Sequence, residues 1–94
     1  MKRFVIERHI LGVGRLNGAQ FKELSATSNG AVAALAGKVQ WVHFYVAADN
    51  TFCLYLGDSE EAVREHSRLA GFPITRVNEI GTVLDPMTAY SLDQ

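Results

Sequence analysis

The chain has 94 residues, of which 48% are apolar and 20% charged, with a net charge of −1. That balance excludes a disordered chain, and the lack of a basic excess excludes electrostatic recruitment by nucleic acid or an anionic membrane. A single domain spanning residues 1–94 is expected, with residues 86–94 as a C-terminal tail, and a core this small invites help from a partner subunit.

No stretch approaches the roughly 20 apolar residues of a membrane span. Glu7, Arg8 and His9 interrupt any apolar signal core after Met1-Lys2-Arg3. The lone Cys53 lies inside a strand pattern and suits a reducing compartment. A cytoplasmic protein is expected.

Residues 3–10 read as the first strand, with Phe4 and Ile6 alternating against Val5, Glu7 and His9. Gly12-Val13-Gly14 breaks it. A nucleotide-binding glycine loop is rejected there, because the third glycine position holds Asn17 and no acidic residue stands in the expected later strand. Residues at helical spacing then run from Phe21, Leu24 and Ser28 through Ala31, Val32 and Leu35. Asn17 or Asn29 can cap or end a helix, and Gly37 is a natural stop. Gly30 within this run predicts a kink or a close helix contact.

Residues 40–55, QWVHFYVAADNTFCLY, read as two strands of a hairpin. Trp41, His43 and Tyr45 alternate with Val42, Phe44 and Val46, and Cys53 and Tyr55 alternate with Phe52, Leu54 and Leu56. A three-residue loop, Ala48-Asp49-Asn50, with Asn50 left-handed, pairs Tyr45 with Cys53 and His43 with Tyr55. The mixed rows then share one face. A two-residue loop at Asp49-Asn50 pairs Val46 with Cys53 and scrambles the faces. The three-residue loop is preferred, because register follows the pattern of a buried face.

Asp58 or Ser59 starts a second helix, and Asp58 with Glu61 fits a capping box. Ala62, Val63, His66, Leu69 and Ala70 form its apolar side, and Gly71 ends it before Phe72-Pro73. The last strand is expected over residues 74–84, with a bulge at Gly81. The order β-α-β-β-α-β predicts an α+β ferredoxin-like βαββαβ fold. It is a four-stranded antiparallel sheet with two helices on one face. The other face, expected to carry Trp41, Tyr45, Tyr55 and Val5, is too apolar to stay open in a monomer. A homodimer of facing sheets is expected, with Trp41 and Tyr45 central to the interface.

FVIERHI at 4–10, QWVHFYVAADNTFCLY at 40–55, EEAVREH at 60–66, GFPITRVNEI at 71–80 and LDP at 84–86 resemble a small ferredoxin-like family of unknown function, some of whose members bind nickel. The resemblance implies a dimeric α+β barrel and, for some members, nickel or another divalent transition metal. It implies no reaction. Where the family often has an acidic residue after the Glu-Arg of the first strand, this chain has His9.

Glu7, His9, His43 and Cys53 are the candidate metal ligands, since imidazole, carboxylate and thiolate suit transition metals. Glu7 is read either as a member of this set or as a salt-bridge partner of Arg8 or Arg76. Cys53 is read as a small buried hydrophobe rather than a nucleophile. His66 is read either as a satisfied core histidine or as pointing towards His43. A metal-binding homodimer is the first functional expectation, and no organic cofactor is evident. The alternative is a barrel enzyme or binding protein, monooxygenase-like or isomerase-like, for an unidentified small molecule. Its pocket would be lined by His43, Tyr45, Tyr55 and Glu7.

Overall fold

A computed structural model describes residues 1–90 of the chain. The elements are β1 (Lys2–His9), α1 (Gly18–Ala34), β2 (Val39–Val46), β3 (Asn50–Gly57), α2 (Glu60–Ala70) and β4 (Arg76–Ile80). The sheet order is β2-β3-β1-β4, and every neighbouring pair is antiparallel. Both helices pack against the same face. The expected ferredoxin-like α+β architecture is what the chain adopts.

One row of each strand faces the helices. Phe4, Ile6 and Arg8 of β1 lie opposite Tyr55, Cys53 and Thr51 of β3, and all six are buried. Val39 of β2 and Ala62 and Val63 of α2 complete the core, with Trp41, Phe44 and Val77 packed against its edges. Burying each large apolar side chain contributes about 1.5–3 kcal/mol.

The helix ends follow local chemistry. Asn17 caps α1 by accepting from the Gln20 amide, while the Gln20 side chain accepts from the Asn17 amide. Ser59, not Asp58, caps α2, accepting from the Ala62 amide at 3.2 Å. The Asp58 amide instead donates to the Lys38 carbonyl, which holds that residue to the start of β2. Gly71 ends α2 with φ 74°, as its position predicts. On α2, Ser67 is buried while Leu69 is exposed.

Three further expectations are corrected. The β2–β3 register pairs Tyr45 with Phe52, Phe44 with Cys53 and His43 with Leu54, matching neither loop considered above. The Ala47 amide donates to the Asn50 carbonyl at 2.8 Å and closes a two-residue Ala48-Asp49 loop. Asn50 is not left-handed, since among the described non-glycine residues only Ala36 has positive φ. The register is set from outside the hairpin. The Ile10 and Gly14 amides donate to the Asp49 and Ala48 carbonyls, and Asp49 Oδ1 accepts from the Gly12 amide. The Gly12-Val13-Gly14 segment is therefore a clamp on the hairpin tip, shaped as a 3-10 turn over Val13–Arg15.

The second correction lies within β2. Trp41 pairs with Tyr55 but His43 with its neighbour Leu54, so Val42 is the extra residue of a β-bulge. The bulge puts Trp41 and Phe44, three residues apart, on the helix side, their rings 4.6 Å apart. The mixed face expected of the hairpin is thereby divided. Trp41, Cys53 and Tyr55 face the helices, whereas His43 and Tyr45 face away.

The third concerns β4, which ends at Ile80 rather than reaching residue 84. Ile80 pairs with Arg3, and β1 has only Lys2 left beyond that point, so a longer strand has no partner. No bulge forms at Gly81. The tail makes a 3-10 turn over Pro86–Tyr90, exposing Met87 and Tyr90, and residues 91–94 of the expected tail lie outside the described residues.

Two glycines make opposite predictions. A Cβ on Gly30 meets nothing within 4 Å, so the expected close helix contact is not there. Gly30→Ala should raise the stability measured by urea unfolding by about 0.5–1 kcal/mol. A Cβ on Gly14 would lie 2.5 Å from the Ala47 carbonyl oxygen. Gly14→Ala should lower stability by about 1–3 kcal/mol, because backbone must move to admit it.

Candidate functional site

The face of the sheet away from the helices has no covering element among the described residues. Val5, Glu7 and His9 of β1 stand on it opposite Leu54, Phe52 and Asn50 of β3, and His43 and Tyr45 of β2 extend the Leu54 and Phe52 rows. Phe52 is 39% and Tyr45 57% exposed. His9 and His43 are both exposed, whereas the third histidine, His66, is buried. Glu7 Oε2 accepts from the Asn50 side chain at 3.3 Å, and its expected ion pair with Arg8 or Arg76 is not formed.

Three of the four candidate ligands, Glu7, His9 and His43, thus share this face, and Cys53 does not. Cys53 is 1% exposed on the opposite face, where its thiol donates to Thr51 Oγ1 at 3.4 Å. His43 stands level with Val5 rather than with Glu7, and β3 separates it from β1 by about 10 Å, two strand spacings. Among the described residues no three His, Cys, Asp or Glu side chains come together around one point. Glu7 and His9, two apart on one strand, make at most part of a metal site within one chain. The alternative pocket of His43, Tyr45, Tyr55 and Glu7 is not assembled either, because Tyr55 lies fully buried beneath the helices.

The buried face holds the chain's densest polar chemistry. Arg8 shares the row of Phe4 and Ile6 and is 1% exposed. Its Nη1 donates to Ser67 Oγ at 3.0 Å and to the Pro73 carbonyl at 2.8 Å, and Nη2 donates to Tyr55 Oη at 3.1 Å. The guanidinium lies 5.1 Å from the Phe72 ring centre. Nε has no partner. None of these partners is a carboxylate, and the ion pairs of the described chain involve other residues. Arg8 is thus a buried cation solvated by neutral groups and an aromatic ring.

His66 sits beside it and does not reach His43. Its Nε2 lies 3.2 Å from both the hydroxyl and the carbonyl oxygen of Ser28, and its ring centre is 4.8 Å from that of Tyr55. The carbonyl can only accept, so Nε2 carries the proton and Nδ1 is a lone pair without a partner. Burial lowers the His66 pKa, against the Ser28 carbonyl and with the Arg8 charge. Burial also pushes the Tyr55 hydroxyl well above the usual phenol range, despite Arg8 nearby. Both groups are therefore neutral near pH 7. His66 is a core histidine, as the first of its two expected readings has it, but only Nε2 is satisfied among the described residues. The charge of Arg8 suggests surface, but its place in the Phe4–Ile6–Arg8 row marks it as inward.

A family profile described as nickel responsive protein SCO4226-like matches residues 4–80. No curated protein matches the chain. The crystal structure of SCO4226 from Streptomyces coelicolor A3(2) is similar with a TM-score of 0.73 at 18% identity, over 87% of this chain and 99% of that one. At that identity the likeness shows the fold.

The buried histidine makes stability depend on pH. Its folded pKa is depressed, so the unfolded chain takes up its proton first, near pH 6.5, and stability is lost as pH falls from there towards the folded value. The urea midpoint should drop between pH 7.5 and 5.5, and His66→Gln should show a shallower drop than the parent chain.

Proposed function

The chain belongs to the nickel responsive SCO4226-like family, and from that premise we propose that it is a homodimer whose open sheet faces pack together and hold a nickel-like divalent ion between them. The observation that carries this reading is the composition of the open face. It joins an uncovered apolar patch to the exposed histidines, His9 and His43, and to Glu7. Val5, Phe52, Leu54 and Tyr45 supply the apolar area, of a kind that marks interaction surfaces. Val83 and Leu84, 60% and 72% exposed just beyond β4, add further apolar surface for a second copy.

The donor set fits such an ion only across two copies. Imidazole and carboxylate suit nickel, and neither needs the buried Cys53. One chain brings at most Glu7 and His9 close together. A two-fold interface repeats every contact, so each ligand is present twice and two partial sets can make a whole one. The bound ion would cross-link the subunits. The open face supports this reading over small-molecule catalysis, because Phe52, Tyr45, His9 and His43 are exposed on it. Trp41 and Tyr55 take no part in this interface, since they face the helices.

Light scattering at low micromolar concentration should give a mass near twice 10.3 kDa. Phe52→Glu should give a monomer, by placing a charge in the apolar patch. The paired substitution His9→Ala with His43→Ala should remain dimeric and bind nickel at least about tenfold more weakly by calorimetry, a loss of about 1.4 kcal/mol. A wild-type mass near that of one chain would refute the dimer. Unchanged nickel affinity in the paired variant would refute the ligand assignment alone.

A further inference from the structure

The helix side of the sheet contains an apolar cleft that leads to the buried cation. Phe21, Leu24 and Ser25 of α1 form one wall, and Trp41, Phe44 and Val46 of edge strand β2 form the other. Its volume is about 240 Å³. Leu24, Phe44 and Thr51 also line a second, inner chamber of about 10 Å³, whose other walls include Arg8, Cys53 and Phe72. The inner chamber has room for one oxygen-sized group. The outer cleft is smaller than the roughly 300–1,000 Å³ of sites for drug-sized ligands.

Charge and hydrogen bonding in this space are both unbalanced. A buried ion is ordinarily paired. Among the described residues Arg8 has no carboxylate partner, and its Nε donates to nothing. Tyr55 cannot serve as the counter-ion, since burial keeps its hydroxyl protonated. Cys53 spends its S–H on Thr51. Trp41, which lines the outer cleft, carries a second buried donor, Nε1, without a partner among the described residues. Two unspent N–H donors and one uncompensated positive charge thus lie along an otherwise apolar path from the surface inwards.

We propose that this cleft binds a small apolar carboxylic acid as its anion. One carboxylate oxygen occupies the inner chamber and accepts from Arg8 Nε, and the hydrocarbon body rests between α1 and β2 against Phe21, Trp41 and Phe44. The anion neutralises the guanidinium, and a charge-assisted bond of this kind is roughly twice as strong as a neutral one. The apolar walls reject hydrated inorganic anions, which lack a body to fill the cleft. The size of the cleft selects short aliphatic or single-ring acids. This site lies on the opposite side of the sheet from the proposed metal-binding face, so either reading can fail without the other.

The chain's single tryptophan lines the cleft and reports on it. Phenylacetate and hexanoate, titrated into the purified protein at pH 7.5 and constant ionic strength, should change Trp41 fluorescence saturably. Phenylacetamide, equal in shape but uncharged, should bind at least about tenfold more weakly, the cost of leaving the buried charge unpaired. Ser25→Phe fills the cleft from the α1 side without touching Arg8 and should abolish the saturable change while the far-UV circular dichroism stays unchanged. Arg8→Gln, where it folds, should bind the acid and the amide equally. Absence of a saturable response to either acid up to about 20 mM, weaker than any useful affinity, would overturn the proposal. So would equal affinity of the wild type for acid and amide, or undiminished binding by Ser25→Phe.

Discussion

The guanidinium of Arg8 ties together parts of the chain that are far apart in sequence. From near the C-terminal end of β1 it reaches Tyr55 on β3, Ser67 on α2 and the Pro73 carbonyl in the connection to β4. A charge in such a place is expensive to desolvate, and breaking a network of this kind leaves an uncompensated charge behind. Hydroxyls, a carbonyl and aromatic faces solvate it where a carboxylate is usual. The neighbouring groups are consistent with this arrangement. His66 is held neutral, and Tyr55 is held protonated, so each remains a dipole that tolerates a cation. The helix–sheet interface is therefore partly polar by construction, and its geometry is more tightly specified than apolar packing alone would make it.

The two faces of the sheet divide the chain's chemistry. The helix face keeps Arg8, Cys53, Tyr55 and His66 away from water. The open face keeps Glu7, His9, His43 and Tyr45 exposed beside Val5, Phe52 and Leu54. What separates the two sets is the extra residue Val42 in β2. Without it, Trp41 and Phe44 would point to opposite sides, and one of them would leave the core. The bulge lets an edge strand supply two aromatic rings to the interior and still present a histidine and a tyrosine outward. The nickel site proposed above draws on groups of the second kind, whereas the guanidinium without a carboxylate partner among the described residues belongs to the first.

Much of the fold was legible because it rests on short-range regularities. Phe4 and Ile6, and Cys53 and Tyr55, alternate as strands should, while Gly71 marks a helix end that the structure keeps. The resemblance of the hairpin and of the second helix to a ferredoxin-like family pointed the same way. The site was less legible, for identifiable reasons. A period-2 reading assumes unbroken alternation, and β2 contains a bulge, so each residue after Val42 was assigned to the wrong side relative to Trp41. The hairpin register is set by backbone bonds from Ile10 and Gly14, more than thirty residues away in sequence, and no local turn rule contains that information. Arg8 was overlooked because its charge outweighed its position in the row. His66 was recognised as apolar-side, but its partner Ser28 lies on the other helix.

The place of β1 in the sheet has a consequence for how the chain is made. β1 leaves the ribosome before both of its sheet neighbours, yet it occupies a central position and pairs with residues 50–57 on one side and 76–80 on the other. Neither neighbour exists when β1 emerges. The hairpin of β2 and β3 can form locally, but the sheet gains its central strand only through contacts spanning about half the chain, and its last neighbour only when β4 has been synthesised. Such long-range pairing slows folding, since loop closure precedes its reward. For most of translation, Phe4 and Ile6 remain uncovered on a strand with two unpaired edges, a state prone to association with other chains. Lys2, Arg3, Glu7 and Arg8 place charge along that strand, which opposes such association before its neighbours arrive. The inward arginine thus belongs to two stages of the molecule's life, first as a solubilising charge and later as the centre of a packed interior.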